Sequence, residues 1–156
     1  MKSNVSFYKY PVCLLGIAED AGAITRVFFA KEKTLPGFTL AETPLIKKAA
    51  AQLDEYFKGK RKVFNLRLSL KGTDFQRSVW EALQEVPYGE TCCYVDIAEK
   101  IGRPKACRAV GMANNRNPIV IIVPCHRIIG KDNSLTGYGG GLDLKKYLLD
   151  LEKPQP

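Results

Sequence analysis

Five consecutive β-branched aliphatic residues, Ile119-Val120-Ile121-Ile122-Val123, stand between Asn117-Pro118 and Pro124. Such a run has no polar face to offer water, so it is expected to be buried on all sides, and the rest of the chain must supply a core around it. With 156 residues, 46% of them hydrophobic and 26% charged, the chain has enough material for one good core or two small ones. The run ends on Pro124-Cys125-His126-Arg127, which places a thiol at the end of a buried segment, beside the only histidine of the sequence.

Upstream, Val5 to Tyr8, Val12 to Ile17 and Ile24 to Ala30 are rich in β-branched, aromatic and other apolar residues and are separated by Tyr10-Pro11 and Glu19-Asp20-Ala21-Gly22. That spacing predicts a short antiparallel meander. A helix follows, capped by Thr43, with Pro44 at its first position and an apolar stripe of Leu45, Ile46, Ala49, Leu53, Tyr56 and Phe57 that Gly59 stops. Lys58 to Lys62 reads as a solvated loop and Val63 to Leu70 as a strand. Lys71-Gly72 marks a boundary between an N-terminal α/β lobe, 1–72, and a mainly helical C-terminal lobe, 73–156, so the fold class is α+β.

The second lobe opens on Thr73-Asp74-Phe75-Gln76, a capping-box pattern, and continues with Val79, Trp80, Leu83 and Val86 at helical spacing. Two short helices, one carrying Val95, Ile97, Ala98 and Ile101 and one running from Lys105 through Ala113, flank the turn Gly102-Arg103-Pro104. The pattern fits a helix-turn-helix or a plain helical hairpin. A last helix carries Leu142, Leu144, Leu148, Leu149 and Leu151 on its apolar side.

The net charge is +8, and seven basic residues (Lys100, Arg103, Lys105, Arg108, Arg116, Arg127, Lys131) occupy an interval without a single acid. A solvated basic face or a surface for a polyanion follows from this, and Arg108 on the second helix of the hairpin favours the polyanion. The five cysteines are odd in number and none is paired at a two-residue interval, so neither a disulfide framework nor a zinc site is expected. No stretch has the apolar length of a membrane span or a secretory signal, which together with the cysteines points to a reducing cytoplasm.

A cysteine beside a histidine is either a nucleophile with its base or a structural thiol next to a polar neighbour. Side chains adjacent in a helical turn do not face one another, so His126 is expected to reach Cys125 through a water. The wider context goes further. Pro124-Cys125-His126-Arg127, together with Val86-Pro87-Tyr88-Gly89-Glu90, Tyr94, Arg108-Ala109-Val110-Gly111, Asn117-Pro118, Tyr138 with its glycines, and Glu152, resembles the O6-alkylguanine-DNA alkyltransferase family over residues 73 to 152. The N-terminal lobe is similar in layout.

The resemblance implies a ribonuclease H-like N-terminal lobe and a winged-helix-like helix-turn-helix in the C-terminal one. It implies a suicidal repair protein that accepts a methyl or larger alkyl group from O6-alkylguanine, with O4-alkylthymine as a further substrate, in double-stranded DNA, as a monomer and with no cofactor or metal. By resemblance Cys125 is the acceptor, His126 and Glu152 form the proton relay, Tyr94 protonates the departing guanine, and Asn117 ties the recognition helix to the active-site segment. Arg108 is the intercalating residue, Ala109 and Gly111 allow close approach to the minor groove, and Tyr94 and Arg127 complete the DNA contacts. Val123, Tyr138, Gly139 and Gly140 wall the base pocket, with Gly139 standing where the family often has serine and Cys107 where a smaller residue is frequent. The rival readings are a non-catalytic helix-turn-helix that binds alkyl lesions, a transcription regulator and a thiol hydrolase; Cys125 argues against the first.

Overall fold

The computed structural model describes residues 3–132 and 134–154. The outermost residues of the two expected lobes, 1–2 and 155–156, and position 133 lie outside that description. The chain divides into two compact units between Leu70 and Lys71.

In the first unit, β1 (Asn4–Tyr10), β2 (Cys13–Asp20) and β3 (Ala23–Phe29) form the expected meander. The β2–β3 turn is Ala21-Gly22, both at positive φ (53° and 78°), the backbone twist that two-residue hairpins require. Helix α1 (Pro44–Phe57) begins where Thr43 Oγ1 accepts the Ile46 N–H at 3.2 Å, and its inner face of Ile46, Ala49, Leu53 and Tyr56 is fully buried with Leu15, Ile17, Ile24 and Val27 of the sheet. Burying each such side chain is worth about 1.5 to 3 kcal/mol, so this interface holds the unit together.

The expected strand over Val63 to Leu70 does not form. Only Leu68 bridges β3, through Ile24 N–H to Arg67 O and Ser69 N–H to Ile24 O. The reason lies at Asn65, whose backbone N–H and C=O are taken by the Gln52 side chain at 2.9 and 3.2 Å and so cannot join a ladder. The sheet is completed instead by β4 (Thr39–Leu40), parallel to β1, in the order β3-β2-β1-β4.

In the second unit, α2 (Asp74–Leu83) carries the full capping box: Thr73 Oγ1 accepts from Gln76 N–H and Gln76 Oε1 from Thr73 N–H. Its Trp80 indole donates to Ala113 O at 2.9 Å, which fastens α2 to α4 (Cys107–Asn115). Helix α3 (Tyr94–Lys100) precedes α4 across a turn with Gly102 at φ 75°, giving the helix-turn-helix. β5 (Cys92–Cys93) and β6 (Ile128–Ile129) pair in parallel, and α5 (Leu142–Glu152) closes the unit.

Of two apolar expectations, burial of the run 119–123 holds and the leucine stripe of α5 does not. The run 119–123 is buried apart from a half-exposed Val120, but as a tight loop rather than extended chain: Ile121 stands at φ 71°, a conformation β-branched residues rarely adopt. On α5 the inner face is Lys145, Leu148 and Glu152, not a leucine stripe, and Leu142 is exposed.

Because Trp80 is the only tryptophan and lies in the second unit, its fluorescence reports that unit alone. Thr73→Ala removes the cap and is expected to lower the unit's unfolding free energy by about 1 kcal/mol in urea titrations. An unchanged midpoint would show that the box contributes nothing.

Candidate active site

The loop that delivers Cys125 is held by side-chain amides. Asn117 donates to Val123 O at 2.7 Å and accepts from Ile119 N–H at 2.9 Å, closing the loop over its own backbone. Cys125 N–H donates to Val123 O, and Cys125 opens a 3-10 turn that runs to Arg127. Asn114, buried on α4, donates to Cys125 O at 3.3 Å. This link between α4 and the thiol-bearing residue was not anticipated; its sequence signal is an amide on the helix face otherwise formed by Val110 and Ala113.

Cys125 is 3% exposed. Burial pushes its thiol up to about 11, against the opposing influence of the Asn117 side chain and the Lys145 charge. The resting thiol is therefore overwhelmingly protonated at neutral pH.

His126 and Glu152, with side chains 0% and 1% exposed, meet at 2.6 Å between Nε2 and Oε2. Burial lowers the His126 imidazole below its ordinary value, with Glu152 opposing, so the ring is neutral at pH 7. Burial alone would raise the Glu152 carboxyl, but the hydrogen bonds from His126 and Arg127 and the Arg127 charge outweigh it and hold the group ionised. A neutral ring facing a carboxylate donates from Nε2, which leaves Nδ1 as an acceptor. Nδ1 is buried and has no partner among the described residues.

Arg127 is the expected DNA contact that the structure places elsewhere. Its guanidinium is buried, donates from Nε and Nη2 to the two Glu152 oxygens at 2.8 and 3.1 Å, and donates from Nη1 to Val86 O at 2.7 Å. A guanidinium buried against an interior carboxylate is not presented to a phosphate on the surface. Gly89 N–H adds a bond to Glu152 at 3.4 Å, so the Val86–Gly89 segment is anchored to the same carboxylate.

The other expected residues divide between wall and surface. Tyr94 shares a 2.6 Å hydrogen bond with Thr136 Oγ1, and Lys145 Nζ donates to Thr136 O at 2.8 Å, so α3 and α5 grip one residue of the glycine-rich segment. Val123 is fully buried, Tyr138 and Gly140 are half-buried, and a Cβ added at Gly139 would meet nothing within 4 Å. Arg108 and Ala109 are exposed on α4 with Met112, whereas Gly111 is half-buried beside the Tyr94 ring. Neither Thr136 nor Lys145 was singled out from the sequence. No group of three potential metal ligands occurs among the described residues.

Residues 74–154 match the model for the DNA-binding domain of 6-O-methylguanine DNA methyltransferase, and residues 5–70 match its ribonuclease-like domain. The chain belongs to this family. The methylated-DNA–protein-cysteine methyltransferase of Methanosarcina barkeri is 50% identical over 143 residues, covering 92% of this chain and 90% of its own length. The constitutive enzyme of that name from Bacillus subtilis is 49% identical over 150 residues, covering 92% and 91%. Among solved structures, the alkyltransferase OGT of Mycobacterium tuberculosis in complex with DNA superposes with a TM-score of 0.89 at 44% identity, covering 96% of this chain and 92% of that one. In this member of the family the alkyltransferase signature thus carries an arginine that serves the interior.

Arg127→Met leaves Glu152 buried without its permanent counter-charge and is expected to cost about 3 to 5 kcal/mol in urea unfolding followed by Trp80. The folded fraction should keep the wild-type salt dependence of DNA binding. A salt slope smaller by about one would mean that Arg127 contacts a phosphate after all.

Proposed function

We propose that the protein repairs double-stranded DNA by direct reversal, transferring a methyl or larger alkyl group from O6 of guanine, and from O4 of thymine, irreversibly to its own Cys125. The observation that carries this reading is the pairing of a buried thiol with a neutral histidine whose Nε2 is engaged by Glu152 and whose Nδ1 is left as acceptor. Family membership supports it, as does the relative of known structure bound to DNA. The five free cysteines suit work in a reducing cytoplasm, and we take the working form to be a monomer.

In this mechanism the Cys125 thiol gives its proton to His126 Nδ1 through a bridging water, and Glu152 stabilises the imidazolium that results. The thiolate attacks the alkyl carbon, an S–C bond forms as the C–O6 bond breaks, and the electron pair departs with guanine. Tyr94 supplies the proton that lets guanine leave neutral. The product is a thioether, which has no good leaving group, so each molecule reacts once. A thiol so deeply buried cannot reach a base within the stack, and the target nucleotide must rotate out. Arg108, exposed on α4 beside Ala109, is assigned to fill the gap from the minor-groove side. The rival reading, a lesion-binding module without chemistry, gives Cys125 and its relay no purpose.

Incubation with DNA containing O6-methylguanine is expected to add one methyl group to the Cys125 peptide by mass spectrometry, and Cys125→Ala should bind DNA without transfer. Repeated turnover, or methylation confined to Cys92 or Cys93, would contradict the reading. Arg108→Ala should slow repair of duplex severely while sparing free O6-benzylguanine, because only the duplex must be unstacked at a cost of a few kcal/mol. Equal slowing toward both would move Arg108 from the DNA face into the active-site architecture.

A further inference from the structure

Lys145 is a buried charge that the relay above does not use. It lies in the first half of α5, its side chain is 0% exposed, and its ammonium donates to a carbonyl, Thr136 O. Among the described residues no carboxylate stands within ion-pair distance of it. The other acids of α5 are committed or face outward: Asp150 pairs with Lys146 and Lys153, Glu152 with His126 and Arg127, and Asp143 is exposed. An ammonium kept from water without a counter-ion is costly, and a carbonyl dipole offsets only part of that cost.

Helix α5 packs against the turn Cys125–Arg127, and the buried Lys145 ammonium and the Cys125 sulfur act on one another electrostatically. Burial pulls the Lys145 ammonium below its usual range and the Cys125 sulfur pulls it back up; reciprocally, Lys145 draws the thiol down against its own burial. The side chains that act on the sulfur are the Asn117 amide and the Lys145 ammonium; Asn114 binds the Cys125 carbonyl, and His126 and Arg127, next on the same turn, are engaged by Glu152 of α5. Arg127 is neutralised by Glu152, whereas Lys145 is not.

Building on the transfer reaction proposed above, we propose that Lys145 stays protonated throughout and acts as the fixed counter-charge of the Cys125 thiolate, while its bond to Thr136 O holds the glycine-rich wall at the distance this role needs. The proton of Cys125 goes to His126 and not to Lys145. The ammonium is in place before the thiol ionises, so no reorganisation is needed as negative charge develops on sulfur. Lys145 acts in this scheme on the thiolate and not on the base.

The test uses a generic electrophile, so that it is independent of DNA and of alkylguanine. The rate at which iodoacetamide labels Cys125, resolved from the other four cysteines by peptide mass spectrometry, is followed against pH in the whole chain. In Lys145→Met labelling near neutrality is expected to slow roughly ten- to a hundredfold, its pH dependence moving upward, while Lys145→Arg stays within about threefold of wild type. An unchanged labelling rate in a Lys145→Met variant that retains wild-type circular dichroism and Trp80 fluorescence would overturn the proposal.

If that variant does not fold, a second one decides. A Lys145→Gln variant, which keeps a donor near Thr136 O but carries no charge, should then slow labelling near neutrality as Lys145→Met was expected to, and a wild-type rate in folded Lys145→Gln would refute the pairing. Labelling that slows as expected in a protein that fails to accept alkyl groups from DNA would count against the repair reading alone.

Discussion

The Glu152 carboxylate is the interaction on which the rest of the second unit depends. It sits at the last residue of α5, and it receives Arg127, His126 and the backbone of Gly89 at once. Those bonds tie the helix end to the turn that carries the nucleophile and to the Val86–Gly89 segment before β5. A carboxylate so deep is tolerable only with its donors in place, and removing any one of them exposes the desolvation cost of the rest. The same carboxylate fixes which nitrogen of the single histidine is left to take a proton, so stability and chemistry rest on one group.

This arrangement resolves a conflict in the nucleophile. A buried thiol is protected from adventitious electrophiles but is harder to ionise, and the apolar loop 119–123 imposes that burial. The structure compensates with polarity aimed at one atom: amides from Asn114 and Asn117 shape the backbone around Cys125, a neutral acceptor faces inward from His126, and an ammonium is enclosed nearby. The left-handed conformation of Ile121 in the same loop is the kind of local strain that persists only where surrounding packing over-determines it.

Much of this was legible in the sequence where the governing chemistry is local. Thr43-Pro44 and Thr73 to Gln76 announce helix starts because caps are made by neighbours a few residues apart, and Ala21-Gly22 announces a hairpin because its φ angles suit few residues. What stayed hidden is decided by partners far along the chain. Gln52 takes the backbone of Asn65 and so dissolves a strand that residues 63–70 alone would form. Arg127 sits in an acid-free basic stretch and reads as a phosphate ligand until Glu152, 25 residues later, is seen to claim it. Lys145 escapes notice because leucines surround it on α5, and only the fold shows that the charged residues occupy the inner face. Sequence records charge, whereas burial of charge belongs to the tertiary structure.

Since His126 is the only histidine, one nitrogen-15 spectrum of the imidazole in the unreacted protein reads its protonation without ambiguity. If Glu152 governs the site, the ring will be neutral at pH 7 with its proton on Nε2 and Nδ1 bare, and will charge at a lower pH than an ordinary histidine, because burial lowers it. An imidazolium at pH 7, or a neutral ring with its proton on Nδ1, would contradict the assignment of Nδ1 as the acceptor of the Cys125 proton.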